Sequence, residues 1–327
     1  MKAPRKITTQ VDLARILGVD RSSVSLALSQ SDKISAETRK LVLAAARKYH
    51  YRPNLAAQQL RSAKSNSLGL VIPDTFQALS EPVVVRTIQA LASFAAKQGM
   101  IFTVLSTAAF TEPGARMHLP DGIFVWGDVA ADTLKGRLPK GHPMLVLDPN
   151  HPSYARDATP SIGPDNAGGA AALVRHLLAR GVQRLLFVIG LENHLGHAER
   201  WNGAQAEWLL HQPTRSLAYA RLVHVTDEAL RKFSSAPDGA ILCSSDGGAI
   251  EIWRRLKDLG IAMPGDVRLA GFDNTPAAQL IGLTSAVFDC ERLAENALLL
   301  MLKLVADEAS DSSKVLIPVT VHKGKTT

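Results

Sequence analysis

Thirteen Lys and Arg side chains fall within residues 1–64, against four acids, Asp12, Asp20, Asp32 and Glu37. That leaves nine excess positive charges in the first fifth of the chain, while the remaining residues carry a net charge of −2. A small basic module on a near-neutral body has the chemistry of a polyanion binder. A solvated basic tail would carry the same charge, but this segment is too rich in regularly spaced apolar residues for that. No catalytic motif competes: there is no P-loop, GxSxG, HExxH or GxGxxG. His194 and His197 lie three residues apart without a third ligand in view and read as solvent-facing. Cys243 and Cys290 are the only cysteines and form no CxxC pair, which suits buried thiols in a reducing compartment. The expectation is a protein that is not an enzyme and uses no cofactor or metal.

The elements that must position the basic module can be read in turn. Val11, Leu13, Ala14 and Leu17 give a first helical stripe, which Gly18 breaks. Asp20 is placed to cap a second helix over 21–28, with Val24 and Leu28 on its inner face. Ser35 caps a third, whose apolar stripe is Leu41, Val42, Ala45, Ala46 and Tyr49. Helix, glycine, helix at this spacing predicts a helix-turn-helix. Pro53 stops the third helix, Asn54 opens a helix of under two turns, and RSAKSNS (61–67) is a polar linker.

The run from Thr8 to Leu60 resembles the DNA-binding headpiece of the LacI/GalR (lactose-repressor) family. The match is carried by Gly18-Val19, Val24-Ser25, Ile34-Ser35-x-x-Thr38-Arg39, Tyr51-x-Pro53-Asn54 and Ala57-x-x-Leu60. The resemblance implies that the helix starting at Arg21 enters the major groove, with Arg21, Ser22 and Ser25 at base edges. Arg21 could donate twice to a guanine. Leu26 departs from the family, where Arg is common; it either meets an apolar group such as a thymine methyl or joins the headpiece core. Thr8 and Thr9 would hold phosphates. The segment from Asn54 to Leu60 matches the hinge helix, with small Ala57 allowing two hinges to approach and Leu60 as a wedge in the minor groove; a plain linker helix is the alternative.

From Leu68 onward, apolar strands alternate with helices. Strands are expected at 68–72, 101–105, 123–126, 144–147, 185–189, 222–225, 240–243 and 267–271, with helices near 81–98, 167–180, 199–211 and 248–259. This predicts an α/β doubly wound parallel core behind the all-α headpiece. The core resembles a two-lobed periplasmic-binding-protein-like sensor, crossing between lobes near 163–166, 288–291 and 316–319. The domain reading is a headpiece over 1–52, a hinge and linker over 53–67, and an effector-binding core over 68–327. Within the core, the N-lobe takes about 68–164 and 290–317, and the C-lobe about 165–289 and 318–327. The segment 106–120 contains Pro113 and Gly114 and is too short for the helix expected there. One sheet face of the N-lobe is therefore left bare or covered by something else.

Positions matching the family's effector pocket are Asp74, Phe76, Asp165, Arg200, Ser245, Asp273 and Phe288. Carboxylates beside an Arg and aromatic rings suit a polyhydroxylated ligand, a sugar or sugar acid. Asp165 and Asp273 could equally cap helices, and Asp246 reads as a packing residue. The resemblance implies a transcriptional regulator, in most relatives a repressor, acting as a homodimer on a near-palindromic double-stranded operator. With no leucine heptads after Thr320, a dimer is expected. A basic N-terminus lacking an apolar stretch and the absence of a long apolar run predict a cytoplasmic protein with no membrane partner.

Overall fold

The computed structural model describes residues 9–28, 33–51, 65–73, 79, 81–112, 119–134, 136–212, 214–215, 217–236, 238–308 and 314–327. The chain divides into two units, Met1–Ser65 and Asn66–Thr327.

The first unit holds α1 (Gln10–Leu17), α2 (Arg21–Leu28) and α3 (Ala36–Lys48). Thr9 caps α1 and Ser35 caps α3, each accepting from the backbone N–H three residues on. Gly18 takes φ 63° and closes α1 with a left-handed turn that a side chain would strain. Leu13, Ala14, Val24, Ala27, Val42, Ala45, Ala46 and Tyr51 form its core. So small an apolar cluster stabilises only a few kcal/mol in principle, roughly 3–5 for a unit of this size.

The second unit is built on two sheets. The first runs β11-β5-β4-β3-β1-β2, from β1 (Ser67–Ile72), β2 (Ile101–Ser106), β3 (Gly122–Trp126), β4 (Met144–Leu147), β5 (Ser161–Pro164) and β11 (Lys314–Ile317). The second runs β12-β10-β9-β8-β6-β7, from β6 (Arg184–Ile189), β7 (Leu217–Arg221), β8 (Gly239–Cys243), β9 (Arg268–Phe272), β10 (Thr284–Val287) and β12 (Thr320–His322). All described pairings are parallel except β10 with β12. Parallel strands need both faces covered, which is why β3 and β8 are apolar throughout and buried at every position.

The chain passes between sheets after β5, after β10 and after β11, where the sequence places the crossings. In the first lobe, α4 (Pro82–Lys97) and α11 (Cys290–Val305) cover one sheet face. On the opposite face, the β2–β3 connection is reduced to α5 (Ala108–Thr111), a single turn. Val71, Ile123 and Val125 are covered there by Val129, Leu134, Leu138, Phe110 and Leu119. The face the shortened segment leaves open is thus closed largely by the loop that follows β3. β2, at the edge, still exposes Ile101 (42 %) and Val104 (39 %).

In the second lobe, α6 (Asn166–Ala179) and α7 (Leu195–His211) pack closely, with Gly203 against the Ala167 backbone. The remaining helices are α8 (Asp227–Phe233), α9 (Asp246–Asp258) and α10 (Pro276–Leu280). The strand expected at 222–225 is displaced: β7 covers 217–221, and Leu222–His224 form a 3-10 turn. As an edge strand, β7 is largely exposed and its apolar run LAYA is diluted by two small alanines, whereas the bulkier Leu222-Val223 leads into the Thr226 cap of α8. No described helix is long and apolar enough to cross a membrane.

Candidate functional site

Two regions hold the residues singled out from the sequence. On the first unit, Val24 and Ala27 face the core, so helical geometry turns 21, 22, 25 and 26 to the opposite side of α2. Arg21 and Ser22 are exposed, while Ser25 and Leu26 are half-buried. Among the described residues, Leu26 is not one of those packed against the core cluster, which leaves its apolar side chain on the outer face. Thr9 is positioned differently from its expected role. Its hydroxyl accepts from the Asp12 N–H and donates to Asp12 Oδ2 at 2.7 Å, so it is committed to capping α1. Thr8, Asn54, Ala57 and Leu60 lie outside the described residues, as do Asp74 and Phe76.

In the second unit, Arg200 is the organising side chain. It projects from α7, is 6 % exposed, and lies over the Phe272 ring with its guanidinium carbon 3.7 Å from the centroid. Its Nε donates to Asn166 Oδ1 at 2.8 Å, and Nη1 donates to the Ser244 carbonyl at 2.6 Å. Nη2 stands 3.3 Å from Asp273 Oδ1. Of its five N–H donors, two have no partner among the described residues. Asp273 sits just past β9 at φ 107°, and Asp148 just past β4 at φ 50°. Both carboxylates therefore stand at carboxyl ends of parallel strands on strained backbone, where ligand sites of such folds collect.

Burial dominates the acid–base character of this region. It raises Asp148 to about 6 and Asp273 to about 7, partly offset in each by the Arg200 charge. Burial and the same charge push His194 down to about 4 and His197 to about 2. Both rings are therefore neutral. His197 corrects the expectation of a solvent-facing side chain: it is buried, and its Nδ1 accepts from Ser244 Oγ at 2.9 Å and from the Leu191 N–H. His194 caps α7 and faces Asp128 across the lobes at 3.7 Å. The Leu195 N–H donates to the Asn150 carbonyl at 2.7 Å, a second link between lobes.

Of the pocket residues expected, Arg200 and Asp273 come together. Asp165 instead caps α6, accepting from the Gly168 N–H at 2.8 Å, and Ser245 caps α9 through Gly248. Phe288 is enclosed in the apolar core of the first lobe with Trp126 and Leu293, because it follows β10 where the chain re-enters that lobe. Asp246 is fully buried, accepting from Ser285 Oγ and the Thr275 N–H, each at 2.6 Å. Asp148, Asn150 and Glu199 were not singled out. The signal for Asp148 was present, a carboxylate ending the apolar run LVL before Pro149.

Comparison with known proteins finds matches in both units of the chain. The family model described as bacterial regulatory proteins, lacI family, matches residues 9–54, and a periplasmic binding protein-like domain matches residues 174–327. Catabolite control protein A of Priestia megaterium is 27 % identical over 330 residues, covering 95 % of this chain and 96 % of that protein. The ribose operon repressor of Halalkalibacterium halodurans is 24 % identical over 334 residues, covering 98 % and 97 %. Among solved structures, the lac repressor dimer bound to operator and the anti-inducer ONPF aligns with a TM-score of 0.76 at 22 % identity, covering 98 % of this chain and 99 % of that one. The CelR–cellobiose complex aligns with a TM-score of 0.66 at 19 % identity, covering 98 % and 100 %. These structural likenesses speak to the fold.

Proposed function

We propose that this chain, whose residues 9–54 match the model for bacterial regulatory proteins of the lacI family, is a homodimeric repressor whose hold on a near-palindromic operator is set by a small hydroxylated effector bound between the core lobes. The observation that carries this reading is Arg200, buried between strand ends with two donors left over, in the same chain as a basic helix-turn-helix. Two parallel N–H groups on a planar fork can hold two ligand oxygens at once. Asp273 can accept from a hydroxyl.

The charge around Arg200 narrows the ligand class. Asp273 already neutralises the guanidinium, and Asp148 adds a further carboxyl nearby. A sugar acid would bring a third carboxylate into this group at a Coulomb cost, so a neutral sugar is favoured over an acidic one. The named relatives point the same way, since one is a ribose operon repressor and one solved neighbour is a cellobiose complex. A thermal-shift screen of neutral sugars against their uronic acids tests the class, with a gel shift on a palindromic site to show that the hit alters operator binding. A sugar acid that outperforms its neutral parent would overturn it.

For the DNA face, Arg21→Ala is expected to cost about 1–3 kcal/mol on the operator and to relax specificity at one base pair per half-site. Binding isotherms on operator and random DNA distinguish this from a phosphate contact, which would weaken both equally.

For the dimer, Val104, exposed on edge strand β2, supplies an apolar group that a second copy would cover. Val104→Glu should shift sedimentation from dimer toward monomer at micromolar concentration and lower operator affinity with it. A dimer that persists in the variant would place the interface elsewhere.

A further inference from the structure

Where the chain arriving from the basic module enters the core, its backbone is held in a conformation that few residue types accept. Asn66, the first residue of the second unit, takes φ 48°, in the left-handed region. A residue other than glycine persists there when its surroundings fix it. Here they do. The Asn66 N–H donates to Asp121 Oδ2 at 2.7 Å, and its Nδ2 donates to the Gly99 carbonyl at 2.9 Å. Its own carbonyl accepts from the Ile101 N–H at 3.0 Å.

Asp121 holds this corner twice. Its carboxylate takes the Asn66 N–H, and its backbone N–H donates to the Ser67 carbonyl at 2.8 Å. The bond to the carboxylate is charge-assisted and stronger than one to a neutral acceptor. Asp121 stands one position before β3, which is buried at every position and lies between β1 and β4. The corner is thus at the amino end of β3, opposite the carboxyl end beyond which Asp128 faces His194.

We propose that Asp121 is a positioning residue for DNA binding: by clamping Asn66 it fixes the root of the linker, and with it the direction in which the linker leaves the core, without touching DNA. The inference rests on the dimeric, palindrome-binding regulator proposed above. Two headpieces must reach two half-sites at once, so the second binds at an effective concentration set by how freely its linker pivots. A root already ordered by folding need not be ordered again on the operator. Without the clamp, each protomer must fix at least one more backbone residue on binding, which costs about 10-fold in affinity per residue. Random duplex sets no half-site spacing and is held by charge.

The test uses the full-length protein and a palindrome that the parent selects from a pool of random-sequence DNA. Asp121→Ala should weaken that palindrome about 10-fold or more, while affinity for random duplex changes by less than about 2-fold. Hydrogen exchange at the Asn66 amide should accelerate in this variant, with the β1 amides of Leu70, Val71 and Ile72 as protected as in the parent. Asn66→Gly keeps both the N–H and the left-handed turn and should bind the palindrome nearly as the parent does. Asn66→Pro removes the N–H, so adding Asp121→Ala to it should weaken the palindrome no further. Parental affinity for the palindrome in Asp121→Ala, equal weakening on random duplex, or loss of protection throughout β1 would each overturn the proposal, the last by making Asp121 a residue of folding alone. A parent that selects no palindrome overturns the regulator and this inference together, whereas a palindrome that Asp121→Ala holds unchanged overturns this inference alone.

Discussion

Replacing Arg200 by Ala is expected to abolish the response to effector while leaving the core folded. The side chain offers two unpartnered donors where a ligand oxygen pair would sit, and a charged hydrogen bond is worth about 1.5–3 kcal/mol. Losing two weakens effector binding by a factor of 10² or more. The variant also leaves Asp273 without its cation. That carboxyl is already raised to about 7, so it responds by holding its proton and not by remaining as an uncompensated buried charge. If the effector is an inducer, operator binding stays near normal and becomes insensitive to it. If it is a corepressor, operator binding is lost. A thermal-shift titration of parent and variant with the screened sugar reads the first quantity, and a gel shift with and without that sugar reads the second. An effector that stabilises Arg200→Ala as strongly as the parent would make Arg200 a structural residue.

The second large effect is on stability. Gly203→Val should destabilise the core by about 3 kcal/mol or more and lower its melting temperature by roughly 10 °C. A Cβ at 203 would overlap the carbonyl and Cα of Ala167, which are backbone atoms and cannot swing aside. Helix propensity acts in the opposite direction, since Gly within a helix costs about 1 kcal/mol relative to Ala. The steric term is larger and decides the sign. Gly247, exposed in the first turn of α9 with only Ser245 Oγ near its would-be Cβ, is the control: Gly247→Ala should be neutral or slightly stabilising. Urea unfolding of the three proteins measures both. Equal stability of Gly203→Val and parent would mean that α6 and α7 can separate freely.

How much of this was legible in the sequence depended on whether the signal was local. Gly18, the Ser35 cap and the Val24 face are set within a few residues, and they stand where the pattern puts them. The central strands were equally plain, because a strand covered on both faces must be apolar throughout. β7 was misplaced because an edge strand has no such need. The site was harder to read. Asp165, Ser245 and Asp273 are all polar residues just after a strand, and the sequence around them does not say which will turn into the following helix as a cap. Two do, and Asp273 alone meets the guanidinium. Phe288 and His197 were misjudged for a related reason: their burial is decided by chain crossings and partners dozens of residues away, such as Ser244 for His197.

The hold that Asn166, Ser244, Asp273 and the Phe272 ring exert on Arg200 has a thermodynamic consequence. A free Arg side chain gives up on the order of 1.5–2 kcal/mol of rotamer entropy when it is fixed. Here folding has already met that cost, so a ligand arriving at the two spare donors does not meet it again. Removing the restraints while keeping the guanidinium, as in Asn166→Ala, should therefore weaken the effector through a more unfavourable binding entropy, though the ligand-facing donors are unchanged.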